Sequence, residues 1–330
     1  MANELLTPKI IARQAIVALY QNLVMAGLVH RDYEREFMRP QKIGDTITIR
    51  RPTTFEAREF DEATGIEIQN AQETSTDLTL NHHLDVSFEV SSKDLTLTVQ
   101  DFDEQFLTPA MEAHAQGVDR SLLALRDDIA TVVGTATEHI DGEDYKGYRG
   151  NFPWSDSRVV NQAGTVLTKR NVPLTRRRVV TGPETAGLWT TEDTWRQANQ
   201  RGDTVGLREA TIGGRIAGFD PYMTQNIVGP AEGTNGTEMG VAFHESAFAL
   251  ATRPLELPMG SQRAEIVSYK GLNLRVVYDY DHKYKKDVVS LDMLFGAKTI
   301  NPDRAVLIGN ASYDPDAPRD GEDTGSGGTG

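Results

Sequence analysis

Cysteine is absent from this 330-residue chain, which removes disulfides, thiolate metal sites and cysteine nucleophiles together. Long apolar runs are absent too, since no window approaches the roughly 18 residues of a membrane-spanning helix. The start, Met-Ala-Asn-Glu-Leu-Leu, has neither the basic stretch nor the apolar run of a secretory signal, so synthesis in a cytoplasm is expected. No repeat period is visible. The spacings that chemistry requires are missing as well: there is no Gly-x-x-x-x-Gly-Lys-Ser/Thr, no Gly-x-Ser-x-Gly and no His-Glu-x-x-His. The sequence carries no catalytic constellation, and neither an enzyme nor a cofactor is expected.

The net charge of −14 argues against a general nucleic-acid binder, because phosphate contacts need clustered Lys and Arg. Its distribution is more informative. Residues 54–104 hold 13 acids against Arg58 and Lys93, a net −11, and residues 311–330 hold five against Arg319, a net −4. The rest of the chain is close to neutral. With 38% hydrophobic residues, 29 Gly and 14 Pro, an extended α+β molecule with protruding parts is expected, one that covers its spare surface against neighbours.

Hydrophobic periodicity divides the chain. Residues 8–28 carry helical spacing, with Gly27 as a stop. Ile47 and Ile49 alternate with Thr and Arg over 44–52, a half-exposed strand that Pro52 closes. Some 28 polar, acidic residues follow. Leu84, Val86, Phe88 and Val90 then share one face of a second strand over 81–90. Two strands flanking a long polar excursion describe an extended hairpin arm, with Gly65 at its turn. From Phe106 the period changes: Leu107, Met111, His114, Val118, Leu122, Leu125, Ile129 and Val132 predict one helix over 106–133. Pro109 falls in its first turn and Gly134 at its end. Residues 140–260 read as short strands and loops, including a strand at 178–181 and a weak helix at 185–198. Alternation over 272–280 and 288–295 predicts a late hairpin with a basic turn, and 304–308 a last strand. The Asp-, Pro- and Gly-rich residues 311–330 have no means of building a core.

The polar clusters read as ordinary surface. His82 and His83, adjacent on a strand, point to opposite faces and cannot chelate one ion. Asp279, Asp281 and Asp287 bracket a turn that lacks the Gly and terminal Glu of a calcium loop. Gly213 to Gly218 reads as a flexible turn. Arg176-Arg177-Arg178 is the densest basic run and reads as a solvated face or a contact with nucleic acid or a neighbour. No metal site is expected.

Six segments in order resemble the major capsid proteins of tailed phages with the Hong Kong 97-type fold. They are GDTITIRRPTTFEA (44–57), LDVSFEVSSKDLTL (84–97), FLTPAMEAHAQGVDRSLLAL (106–125), NVPLTRRRVVTGPETAGLW (171–189), GGRIAGFDPYMTQNI (213–227) and YKGLNLRVVYDYDHKYKKDVVSLDMLFG (269–296). Within that group the chain is most similar to the coat-protein family of the short-tailed Salmonella phage and its actinobacterial relatives. The resemblance implies an N-terminal arm over 1–43 and an extended loop over 44–97. It implies a peripheral domain over 98–138 and 259–297, built on a spine helix at about 106–133. An axial domain over 139–258 and 298–310 and an acidic tail over 311–330 complete it. It further implies hexamers and pentamers of the chain itself, a portal and a decoration protein, with double-stranded DNA enclosed but not read. The location implied is a virion assembled in a bacterial cytoplasm. The inserted β-rich domain of the Salmonella phage protein has no room between Phe219 and Phe248. A crosslinking loop Lys is missing from 43–92. The 43 residues before the hairpin leave no space for a fused scaffold, so a separate scaffolding protein is expected.

On that reading the acidic arm, with Glu56, Glu59, Asp61, Glu62 and Glu67, lies across a neighbour's basic patch. Arg176, Arg177, Arg178, Lys283, Lys285 and Lys286 are the candidates for that patch. An encapsulin-like compartment shell is the alternative within the fold, and an acidic β-rich hydrolase the alternative outside it.

Overall fold

The structure, a computed structural model, describes residues 13, 15–17, 19, 23–31, 46–51, 74–91, 106–134, 152–192, 215, 217–227, 238–258, 264–269, 272–281 and 286–309. The expected first strand forms as β1 (Thr46–Arg51), but its partner is not the strand expected at 81–90. It pairs antiparallel with β2 (Thr74–Thr79), a stretch whose polarity reads as loop. The physical reason is that β2 is rich in β-branched Thr, which suits a half-exposed ribbon. On its polar face the hydroxyls of Thr46 and Thr79 lie 3.1 Å apart and Thr48 donates to Asp77 at 2.7 Å. On the other face Ile49 and Leu78 are buried with Leu80, Ala249, Ala251 and Ile300. The excursion expected to form the arm's tip, 52–73, lies outside the described residues.

The strand expected at 81–90 forms as β3 (His82–Ser91), with Leu84, Val86 and Phe88 packed against the main core and the odd-numbered side chains through Glu89 exposed. Helix α1 (Thr108–Ala124) follows, with Pro109 in its first turn. It has 17 residues, about 26 Å at 1.5 Å each, and is shorter than the 106–133 expected. A 3-10 turn over Leu125–Asp128 closes it, and Ile129 is already extended at φ −102°, ψ 110°. Asp127 and Asp128 explain the stop, because carboxylates oppose the negative end of a helix. Ile129, although in step with the helical stripe, is buried in extended chain that leads to β4 (Val132–Val133). Gly134 ends that strand rather than the helix. Its φ is +110°, and a Cβ there would lie 2.4 Å from the carbonyl oxygen of Gly309.

Within the stretch read as strands and loops, residues 159–169 form α2 (Val159–Lys169). Val159, Val160, Ala163 and Leu167 give it one buried side, and that packing overrides the weak propensity of its β-branched residues. Then come β5 (Arg177–Thr181), α3 (Pro183–Thr191), β6 (Asp220–Met223), β7 (Gly240–His244), β8 (Phe248–Arg253) and β9 (Ala264–Tyr269). The late hairpin is β10 (Leu272–Asp281) with β11 (Lys286–Thr299), and β12 (Ala305–Ile308) is the last strand.

Among the described residues three sheets form: the β1-β2 ribbon, a five-stranded sheet β3-β11-β10-β9 with β8 also on β11, and a five-stranded sheet β4-β12-β7-β5-β6. In the first large sheet Val289, Leu291, Met293 and Phe295 of β11 and Leu272, Leu274 and Val276 of β10 join Met111, His114, Val118 and Leu122 of α1 in one core. The inner strands of the second are buried on both faces, as their nearly continuous apolar runs require. Val180, Val241 and Leu307 face the main core, while Val179, Ala242 and Val306 face Val160, Leu167 and Trp189 of the two short helices. The ribbon meets the first sheet at Gly296, where a Cβ would lie 2.2 Å from the carbonyl oxygen of Thr79. Only glycine allows that crossing.

Candidate assembly surfaces

The arginine run divides three ways because neighbouring strand positions face opposite sides. Arg177 is 2% exposed. Its guanidinium donates to the carbonyls of Val172 (2.7 Å), Pro173 (2.9 Å) and Gly164 (3.2 Å) and to the Thr168 hydroxyl (3.1 Å), with the Phe219 ring 5.9 Å away. It ties β5 to the end of α2. Burial pushes its pKa down, and it cannot meet a neighbour, so it leaves the set of interface candidates. Arg178 is half-buried, donates to the Leu28 carbonyl and lies 3.5 Å from Glu245. Arg176 alone projects. It stands just before β5 at φ +54°, its side chain is 71% exposed, and Glu245 is 3.6 Å away.

Lys286 opens β11 and reaches Glu89 of β3 at 2.5 Å, both partly exposed. Its charge is thus balanced within the subunit, as the antiparallel register of Val288 with Glu89 allows. Lys283 and Lys285 lie outside the described residues, as do Glu56, Glu59, Asp61, Glu62 and Glu67.

A surface outside the arginine run lies at the end of the second sheet. Strand β6 pairs only with β5 among the described strands. The N–H of Thr224 donates to Thr181 at 3.0 Å, so by strand alternation Pro221 and Met223 turn their backbone outward. Proline is tolerated at such an edge because its missing N–H would face away from the sheet. Met223 is 50% exposed and Tyr222 38%, and Leu174, in the loop before Arg176, is 66% exposed. Arg215 joins the two by donating to the carbonyls of Leu174 and Gly218 and pairing with Asp220 at 3.3 Å. The legible signal was Tyr-Met after Pro in a short strand.

The open face of the first large sheet is polar. Asp85 and Asp292 sit opposite each other, held by Ser290 and Ser87 on Asp85 and by Arg275 on Asp292 at 2.5 Å. Burial works to raise the Asp85 pKa, but hydrogen bonding with Ser290, Asp292 and Ser87, together with the nearby His114 imidazole, leaves it below its ordinary value. His82 turns inward to stack on Phe295, and His83 turns outward, 3.7 Å from Asp292. Asp281 stands opposite Lys286, whereas Asp287 stands opposite Tyr280 and so belongs to the other face. Among the described residues no three His, Asp or Glu side chains converge as metal ligands. A Ser–His contact, His244 Nδ1 to Ser246 Oγ at 2.8 Å, lies in a 3-10 turn that the same Nδ1 caps by accepting from the Ser246 N–H, and Arg304 also donates to that hydroxyl.

No family model and no curated protein matches the chain. Solved structures do. A chain of Mycobacterium phage Che8 is similar at TM-score 0.60 and 22% identity, covering 86% of this chain and 90% of that one. The capsid of cyanophage P-SCSP1u is similar at TM-score 0.57 and 11% identity, covering 82% and 84%. A virus-like particle from Pyrococcus furiosus is similar at TM-score 0.50 and 9% identity, covering 91% and 98%. The chain therefore has the α+β fold of the Hong Kong 97-like capsid proteins.

Proposed function

We propose that this protein is the major capsid protein of a tailed phage, akin to the coat proteins of the short-tailed Salmonella phage group. Many copies close an icosahedral head, as pentamers and hexamers, around double-stranded DNA. The observation that carries the reading is the fold, together with what it leaves unsupported. The β1-β2 ribbon rests on a core through Ile49 and Leu78, and a two-stranded ribbon by itself is marginal in water. A neighbouring subunit supplies the missing support through heterologous contacts, the kind that close shells when the rotation fits.

In this scheme the ribbon and the acidic residues beyond it form the extended loop, α1 the spine of the peripheral domain, and the second large sheet the axial domain. Leu174, Arg176, Tyr222 and Met223 stand at the axial subunit boundary. Arg176, Lys283 and Lys285 remain the basic partners for the acidic loop, and Lys286 contributes after exchanging Glu89 for a neighbour's carboxylate. Complementary charge of this kind sets register more than it adds affinity. A scaffolding protein, a portal and a decoration protein are the further partners, and the virion is the location.

The test is assembly by the full chain at low salt, followed by sedimentation. Rapidly sedimenting shells or rings are expected, and Arg176→Glu combined with Lys283→Glu and Lys285→Glu reduces them. Undiminished assembly by that triple variant would remove the charge pairing. The similarity to the Pyrococcus particle keeps a compartment shell as the second reading. Native particles that hold protein cargo and no nuclease-protected DNA would favour it.

A further inference from the structure

Residues 24–30 are clasped at both ends by charged side chains from distant parts of the chain. At the start, the Asp119 carboxylate on α1 accepts from the N–H of Val24 at 3.1 Å and of Met25 at 3.0 Å. The Ala26 N–H and the Asn226 side chain complete its shell. At the end, Arg178 donates to the Leu28 carbonyl. His30 then pairs in parallel with Ala249, donating to Phe248 at 3.1 Å and accepting from Leu250 at 3.0 Å. The single 3-10 turn Met25–Gly27 thus has its orphan N–H groups on an acid and its last carbonyl on a base. Upstream of it Ala15, Ile16 and Leu19 are buried in the main core.

Asp119 is wholly buried, and what faces it is neutral. The segment offers backbone N–H groups, and the stretch after β6 offers the Asn226 amide. On α1 itself Arg120 is exposed, and His114 is turned to the Leu291 carbonyl of β11. From β5, Arg178 serves the far end of the turn and is balanced by Glu245. Among the described residues no cation pairs with Asp119.

We propose that Asp119 couples docking of the N-terminal segment to protons, so that the segment holds more tightly in mild acid than at neutral pH. A carboxylate buried without a counter-charge favours its neutral form. Burial outweighs the hydrogen bonds from Val24, Met25, Asn226 and Ala26 and raises the Asp119 pKa to about 6. When the segment lifts away, water reaches the carboxyl and its pKa returns toward about 4. The docked state then binds the proton more strongly, so docking tightens as pH falls through about 6 and levels off near about 4. Between about pH 7.5 and pH 5 the docking equilibrium shifts about tenfold. This device belongs to the single subunit and stands apart from the capsid reading.

The experiment is hydrogen exchange on the full chain, read as protection factors for peptides spanning 23–31 at about pH 5 and pH 7.5, each corrected for the intrinsic exchange rate. Wild-type protection is expected to be about tenfold higher in acid. Asp119→Asn is expected to show no pH dependence, whatever its absolute protection. Equal wild-type protection at both pH values overturns the proposal. So does Asp119→Asn keeping the wild-type slope, because the pH dependence would then belong to another group. If Asp119→Asn does not fold, a carbon-13 titration of the wild-type Asp119 carboxyl decides: a midpoint near about 6 supports the coupling, and one below about 4.5 overturns it.

Discussion

Replacing Arg177 by methionine separates a core role from an interface role in the arginine run. Methionine keeps much of the volume and removes every donor. The Val172 and Pro173 carbonyls then lose this donor, while the Gly164 carbonyl keeps the Thr168 hydroxyl at 2.7 Å. Each buried acceptor left unpaired costs about 1–3 kcal/mol. Part of that sum is returned because a guanidinium no longer has to be held out of water. A net loss of about 3–5 kcal/mol is expected, in the range measured when one partner of a buried charged network is removed. Urea unfolding of the unassembled subunit, followed by the fluorescence of buried Trp154 and Trp189, measures it. Arg176→Glu, one residue away, should leave that stability within about 0.5 kcal/mol while reducing assembly. A loss below about 1 kcal/mol for Arg177→Met, or a larger loss for Arg176→Glu, would refute the assignment of the two side chains.

Gly296→Ala forces a methyl into the Thr79 carbonyl and should cost about 1–3 kcal/mol; an unchanged urea midpoint would mean that the ribbon shifts freely over β11. His114 is held below its ordinary pKa by burial, against the opposing Leu291 hydrogen bond. Its neutral Nε2–H donates to that carbonyl at 2.9 Å, while Nδ1 has no partner. The unfolded chain therefore binds more protons just below pH 6.5, so this contribution is complete above about 6.5 and is lost as pH falls. His114→Gln should remove this acid-side loss, so that the urea midpoint at about pH 5.5 rises relative to that at about pH 7.5 when compared with the wild type, and an unaltered slope would contradict it. Met223→Lys, at an exposed edge, should leave unfolding within about 0.5 kcal/mol while blocking assembly. Normal shells from that variant would exclude β6 from the boundary.

Elements whose periodicity matched their environment were legible. β1, β3, the β10-β11 hairpin and β12 each show one apolar face or a compact apolar run. What escaped notice followed from tertiary packing. Thr and Asp in β2 conceal a strand whose buried face reduces to Leu78 within its bounds, and missing it assigned β1 the wrong partner. Ile129 keeps the helical step of α1 although two aspartates end the helix before it. Valines and threonines masked α2, whose spacing was nonetheless helical. Charge misled in the same way, because Arg177 reads as surface until Gly164, Val172 and Pro173 present their carbonyls to it. Asp119 lies four residues after Ala115 and three before Leu122, both buried, so an acid on the apolar stripe was visible in the sequence. What faced it was not. The acidic loop residues stay a matter of sequence alone, because 52–73 lie outside the described residues.

The central claim is that this chain builds a closed shell, and negative-stain electron microscopy of the purified full-length protein, concentrated with and without a scaffold, tests it most directly. The account predicts closed particles, rings of five or six subunits, or aberrant polyhedral forms. A compact subunit that stays monomeric at high concentration in both conditions would contradict it.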